Sequence, residues 1–174
     1  MRITTPQHSF LVQPAVIDSI ALALCTGLGL SDYELSWDFV DEEAMRELNA
    51  EFRNKDRSTD VLSFPQEEWD KPLLFQRPAW PIAPKDSKSE QPPRIVGDIV
   101  ISPEDALRNA ENIGHKLDRE TCFLLVHGFL HLCGHDHEQE DEEALMLEQQ
   151  RQIMDFLEHT ADRPLWTDCI RIEA

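Results

Sequence analysis

The sequence predicts an α+β fold, in which helices cover a small mixed β-sheet within a single domain spanning residues 1–174. Three observations lead to this prediction. Apolar and polar residues alternate over residues 35–39, as in a half-buried strand, and apolar residues recur every three to four positions in longer stretches, as in amphipathic helices. Residues that start and stop helices flank those longer stretches. A chain of 174 residues suits one domain with a sizeable core.

Capping residues mark two of the predicted helices. Asp41 precedes one amphipathic stretch, and Ser102, followed by Pro103 at the first helical position, opens another that Gly114 closes. The other helices follow from apolar periodicity, and the strands follow from short β-rich runs. The predicted helices are Pro14 to Leu28, Asp41 to Phe52, Ser102 to Gly114, one beginning near Asp118, and Glu138 to His159; the predicted strands are Leu35 to Phe39, Val61 to Phe64 and Asp98 to Ile101.

A proline-rich insertion at about residues 66–94 separates two of the predicted strands. Seven of the eleven prolines lie between Pro65 and Pro93, together with Trp69, Trp80 and the polar run D-S-K-S-E-Q. This composition indicates a long, semi-rigid insertion or surface loop, which we interpret first as a disordered spacer. The alternative is a loop that closes over a substrate and stacks its tryptophans on bases.

Charge and cysteine content restrict the classes of partner and compartment. The net charge of −18 opposes general nucleic-acid binding, so any phosphate contact must come from a local basic cluster such as R-N-K-D-R at residues 53–57. From charge alone, that cluster is an ordinary solvated helix end. Four scattered cysteines without a C-x-x-C pair indicate free thiols in a reducing compartment. Because no apolar leader or membrane-length run is visible, we expect a cytoplasmic or organellar location and no membrane partner.

The most specific motif is H-G-F-L-H-L-C-G-H-D-H at residues 127–137. His127 and His131 lie one helical turn apart, so both rings leave the same helix face. Gly134 can take a left-handed conformation that ends the helix, which brings His137 back towards the first two rings. Three imidazoles predict one transition metal per chain, Zn²⁺ first and Ni²⁺ as the alternative, with a free coordination position for water. His135 is the alternative third ligand, and ordinary packed histidines are the competing interpretation.

The same spacing occurs in metzincin proteases, whose pattern H-E-x-x-H-x-x-G-x-x-H places a glutamate general base after the first histidine. This sequence has Gly128 at that position. A peptidase needs a carboxylate to take a proton from water and hand it to the leaving amine. The motif therefore favours a metal site but not peptide hydrolysis.

Together with the histidine motif, the runs L-N-A-E-F-R-N-K-D-R-S-T-D-V-L-S-F-P (residues 48–65) and G-D-I-V-I-S (residues 97–102) resemble the YbeY family of endoribonucleases. The resemblance implies a metalloprotein that cuts single-stranded RNA rather than DNA. It also implies a role in maturing the 3′ end of small-subunit ribosomal RNA and in ribosome quality control, with the small subunit or its proteins as partners. The family's metal ligands correspond to His127, His131 and His137, and its functional arginine corresponds to Arg53. The sequence departs from the family at His135, where tyrosine is common, and in the long insertion.

The expected mechanism pairs a metal electrophile with Arg53 as a bidentate phosphate clamp. The general base stays open among Asp60, Glu120 and Asp136. For Asp136, orienting a histidine ring or capping the following helix is the favoured alternative to catalysis. Two other functions also stay open: a metal-dependent hydrolase of another, peptide-like substrate, and a non-catalytic ribosome assembly factor that zinc braces.

Overall fold

The computed structural model describes residues 1–83 and 91–173. They form an α+β fold, as the sequence predicts, but with two small sheets instead of one. In chain order the elements are β1 (Arg2–Thr4), β2 (Ser9–Val12), α1 (Pro14–Gly27), β3 (Tyr33–Phe39), α2 (Glu42–Arg53), β4 (Val61–Pro65), β5 (Arg94–Ile101), α3 (Pro103–Ile113), α4 (Leu117–Leu132), α5 (Glu140–His159) and β6 (Ile170–Glu173).

The predicted mixed sheet has the strand order β3-β5-β4. Strand β3 runs parallel to β5, and β4 runs antiparallel to β5. The second sheet, β1-β2-β6, is entirely antiparallel and was not predicted from the sequence. Its strands have only three or four residues each, although Phe10, Val12 and Ile170 place buried side chains along them.

The capping predictions are confirmed. An oxygen of Asp41 accepts a hydrogen bond from the backbone N–H of Ala44 at 2.9 Å, and α2 ends at Asn54 in the left-handed region with φ 54°. Ser102 caps α3 through the backbone N–H of Asp105, and Gly114 ends that helix with φ 87°. These caps satisfy donors and carbonyls that a bare helix end leaves unpaired.

Helix α4 lies against the mixed sheet and carries much of the core. Gly128 lies so close to β4 and β5 that a Cβ atom there would stand 2.9 Å from the Ser63 Oγ and 3.2 Å from two side-chain carbons of Ile99. The neighbouring His127 and His131 are only half-buried. The absence of a Cβ atom at Gly128 therefore allows the helix to lie close to the sheet, while the face that carries the two histidines lies at the edge of the core.

The spacer interpretation of the insertion is wrong for residues 66–83, a segment that we call the strap. Its Trp69 Nε1–H donates to the Leu132 carbonyl at 2.8 Å, its Leu73 N–H donates to the Cys133 carbonyl, and Phe75 is 8% exposed. Trp69 is thus held on the end of α4, with its indole N–H bound to the helix. Trp80, by contrast, is 42% exposed. Most of the polar D-S-K-S-E-Q run lies outside the described residues.

Within residues 1–83 and 91–173, no helix has both the length and the apolar character needed to cross a bilayer.

Candidate metal centre

The three histidines predicted as ligands lie together. His127 and His131 project from α4, and Gly134, with φ 90°, turns the chain so that His137 returns to them. One ring nitrogen from each histidine belongs to a set whose atoms all lie within 4.8 Å of one another. The ring centroids are 4.8 Å apart for His127 and His131, 5.1 Å for His131 and His137, and 6.1 Å for His127 and His137.

The hydrogen bonds of two rings determine which nitrogens face inward. The Nδ1 of His131 lies 3.0 Å from the His135 carbonyl, and the Nδ1 of His127 lies 3.4 Å from the Gln150 Oε1. Because carbonyl oxygens only accept, both Nδ1 atoms carry the proton and both Nε2 atoms present lone pairs. Those two Nε2 atoms lie 3.2 Å apart. Two facing lone pairs repel each other unless a cation lies between them, so this donor set fits a bound metal ion.

The electrostatics of the site agree with neutral imidazoles. Burial, together with repulsion from the neighbouring histidines, lowers the pKa of His131 to about 4. Burial also lowers the pKa of His127 from its ordinary value. Metal ions bind histidine only in its neutral form, so both rings are ready for a cation at neutral pH. Nitrogen ligands of this kind suit zinc, nickel and their neighbours better than magnesium, which prefers oxygen.

His135, the alternative ligand, has a different role in the structure. Its side chain is 3% exposed, and its Nε2 lies 2.6 Å from the Leu73 carbonyl of the strap. The metal-capable cluster found among the described residues contains His137 and not His135. The backbone carbonyl of His135 orients His131, while its ring fastens the turn to the strap.

The three candidate bases differ in their surroundings. Asp60 lies near enough to His127 to influence its pKa, and its oxygens accept hydrogen bonds from Asn109 and from the backbone of Val61. Asp136 accepts from the backbone N–H of the next residue. The expected cap of the following helix by Asp136 is wrong, because α5 begins at Glu140 with Gln139 at its N-cap position.

Glu120 is 2% exposed, and its carboxylate lies 2.5 Å from the Nε2 of His115. It belongs to a cavity beside the histidine cluster. Among the three candidates, Asp60 is the carboxylate whose charge acts on His127.

Arg53 is the last residue of α2 and is exposed, with no hydrogen bond or ion pair to any described residue. An edge-to-face contact between Phe52 and Phe64, with centroids 5.0 Å apart, joins the end of α2 to β4. The loop that begins after Arg53 ends at Asp60, beside His127. The free guanidinium thus stands at the start of a loop that leads to the histidines.

Comparison with known proteins identifies the family. The family model described as Endoribonuclease YbeY matches residues 12–158. This chain belongs to the YbeY family. Two relatives named Endoribonuclease YbeY come from Clostridium botulinum, at 37% identity over 123 residues (71% of this chain and 74% of the relative), and from Bacillus mycoides, at 41% over 122 residues (70% and 71%).

A solved structure has a similar fold. The solution structure of TM1509 from Thermotoga maritima superimposes with a TM-score of 0.54 at 25% sequence identity, covering 83% of this chain and 82% of that one. The resemblance to YbeY endoribonucleases and the α+β fold predicted from the sequence are both confirmed.

Sequence reasoning missed two residues that support the site in this YbeY family member. Gln150, which is 4% exposed on α5, holds the Nδ1 of His127 through Oε1, and its Nε2 donates to the Phe123 carbonyl at 3.2 Å. Asn109 on α3 holds the Asp60 carboxylate at 2.9 Å. Neither residue belongs to the histidine motif, and no local signal in the sequence points to them.

Proposed function

We propose that this protein is a metal-dependent endoribonuclease that cuts single-stranded RNA during ribosomal RNA processing, including 3′-end maturation of the small-subunit RNA and ribosome quality control. Membership of the YbeY endoribonuclease family supports the reaction class. The observation that carries the metal dependence is the pair of facing His127 and His131 Nε2 atoms, 3.2 Å apart. The proposed partners are RNA and the ribosomal small subunit or its proteins.

His127, His131 and His137 would hold one Zn²⁺ ion per chain, with Ni²⁺ as the alternative. When bound, such an ion supplies Lewis acidity towards a phosphoryl oxygen and acidifies water. Gln150 and the His135 carbonyl hold the first two rings in the tautomer that such binding requires.

Arg53 is the proposed phosphate clamp. Its guanidinium has no described partner, so all five N–H donors are available to a phosphodiester, and its planar fork matches two phosphate oxygens at once. Because the chain carries a net charge of −18, the basic residues near Arg53 must draw RNA in locally. We therefore expect cleavage to weaken as salt concentration rises.

Proteolysis is disfavoured at this site. Gly128 stands where a zincin protease has its glutamate base, and the space beside it is filled by Ser63 and Ile99. A side chain long enough to act as that base would have to displace both residues.

The test is a cleavage assay with metal-loaded protein on an RNA that contains both paired and unpaired segments. We expect cuts in the unpaired segments, intact duplex, and no cleavage of an unfolded protein substrate. His131→Ala, purified identically, is the control for contaminating ribonuclease. Equal cutting by both preparations would refute the assignment of the nuclease to this site. If the metal-loaded protein cuts no RNA and removal of the metal only lowers its stability, the result would instead support a zinc-braced assembly factor.

A further inference from the structure

A cavity of about 500 Å³ lies directly beside the histidine cluster, between the end of α3, the first half of α4 and α5. Two of its lining residues also touch His127. The ring of Phe123 lies nearly parallel to that of His127, with an interplanar angle of 19° and centroids 6.5 Å apart. Gln150 holds the Nδ1 of the same histidine. The cavity and the metal centre therefore share a wall.

One side of the cavity is apolar and partly open to solvent. Phe123 and the mostly buried Met154 form its inner surface. Ile113 and Leu147 stand at its rim with 67% and 59% of their surface exposed. Large apolar side chains exposed around a concavity mark binding surfaces more often than isolated ones do. An aromatic ring with aliphatic neighbours offers a flat ligand two faces to pack against.

The opposite side is polar, and the donor and acceptor of each of its hydrogen bonds can be assigned. Arginine can only donate, so the contact of Arg119 NH1 with His115 Nδ1 at 2.7 Å makes that nitrogen an acceptor. The His115 proton is therefore on Nε2, from where it is donated to the buried Glu120. The remaining guanidinium nitrogens of Arg119 have no partner among the described residues. They are free donors on the wall of the cavity.

The charge of the lining disfavours a phosphate group as the natural occupant. Arg119 and Arg151 are balanced by Glu120, Asp155 and Glu158, and the guanidinium of Arg151 is also paired with a neighbouring glutamate. This wall offers hydrogen bonds and apolar contact but no net positive charge. A flat, uncharged heterocycle with polar edges matches it, and its volume suffices for one nucleobase with its ribose.

We propose that this cavity receives one unpaired base of the RNA substrate, next to the phosphodiester that is cut. The base would lie against Phe123, with its edge on Arg119. This inference rests on the proposed function and assigns a structural origin to its strand preference. A base held in a duplex must first break its pairing and stacking before it can enter the cavity, whereas an unpaired base enters at little cost.

The test combines a substitution that fills the cavity with RNA that lacks a base. Leu147→Trp places an indole at the mouth of the cavity from an exposed position, and Leu145→Trp, two residues earlier on α5 and outside the lining, is the matched control. Each variant is assayed in its metal-loaded form on an unstructured RNA and on a series with a single abasic nucleotide at each position around the cut. Thermal unfolding of each variant checks that it is folded.

For wild type and Leu145→Trp, we expect one abasic position to slow cleavage by about tenfold or more, the size that base–aromatic stacking typically contributes. Leu147→Trp should slow cleavage of intact RNA by a similar factor, and the abasic change should then cost nothing further. Phe123→Leu, which keeps an apolar side chain but removes the ring, should behave in the same way. Such non-additivity is the sign that the base and the cavity act on each other.

Equal abasic effects in wild type and Leu147→Trp would overturn the cavity proposal while leaving the nuclease intact, as would the absence of any sensitive position in wild type. If Leu147→Trp instead dissociates a dimer and leaves cleavage unchanged, the apolar rim is an interface between copies and the proposal is wrong. A wild-type protein that cuts no RNA would refute the proposed function itself.

Discussion

Gly128→Ala tests how closely α4 must approach the mixed sheet. The change adds one methyl group between His127 and His131 in sequence, on the face that meets the sheet. That methyl carbon would lie 2.9 Å from the Ser63 Oγ and 3.2 Å from two side-chain carbons of Ile99. The hydroxyl can rotate away, but Ile99 is 0% exposed and packed in the hydrophobic core.

Two opposing effects determine the expected magnitude. Alanine inside a helix is favoured over glycine by about 1 kcal/mol. Adding a methyl group to a close-packed interior costs about 1–3 kcal/mol. Because two of the three close contacts are with the fully buried Ile99, we expect the steric cost to prevail, with a net loss of up to about 2 kcal/mol in the free energy of unfolding. For a chain of this size, a loss of about 2 kcal/mol lowers the Tm by roughly 4–8 °C.

Urea denaturation and metal titration of the purified protein measure the two consequences. The unfolding free energy should fall, and metal affinity should fall as well because the two flanking histidines move with the helix. Ile99→Val removes one of the contacting carbons, so the double variant Ile99→Val/Gly128→Ala should be more stable than the sum of the single changes predicts. A Gly128→Ala protein that is about 1 kcal/mol more stable than wild type would refute the close-packing argument.

Three further predictions concern the site. Purified protein should carry one transition metal per chain by elemental analysis, and His131→Ala should abolish this binding. His135→Ala should keep the metal but lower the Tm, because the backbone carbonyl that orients His131 remains while the ring's hydrogen bond to the strap is lost. If His135→Ala loses the metal while His131→Ala keeps it, the ligand assignment is wrong. Arg53→Lys should reduce turnover by roughly 10²-fold with little change in Tm, because the variant loses the two-point phosphate contact but no contact with a described residue. A large decrease in the Tm of this variant would instead mark Arg53 as a structural residue. In metal-free protein, the pKa of His131 is about 4, whereas in the unfolded chain it is about 6.5, so the unfolded chain takes up this proton first. The free energy of unfolding of wild type relative to His131→Gln should therefore be highest above pH 6.5 and decrease as the pH falls towards 4. Urea denaturation curves whose difference stays constant with pH would contradict this prediction.

The sequence predicted those helix ends that a single capping residue marks. Asp41 and Gly114 mark helix ends through their own side-chain or backbone chemistry, and the structure confirms both. The second sheet escaped prediction because its pairing is between residues far apart in the chain, such as Ser9 with Glu173. A strand of three or four residues is too short for its alternation to differ from chance. The parallel pairing of β3 with β5 likewise depends on the whole fold.

The same distinction applies to the site. The three histidines were predictable because a helical turn and one glycine bring them together within eleven residues of sequence. Gln150 was not, since it comes 23 positions after His127 and reaches it only through the packing of α5 on α4. The anchoring of His135 by Leu73 was equally hidden, because it requires the strap to lie across the end of α4.

The four cysteines give this fold a set of built-in reporters of local opening. All four are buried: Cys25 in α1, Cys122 within α4, Cys133 directly after α4, and Cys169 just before β6. Burial raises the pKa of the thiols of Cys122, Cys133 and Cys169, so each is protonated and shielded in the closed molecule. Only the thiolate reacts with an alkylating reagent, and it forms only when its surroundings open. When reclosing is faster than labelling, the labelling rate of each cysteine therefore gives the equilibrium population of the locally open form around it, under native conditions.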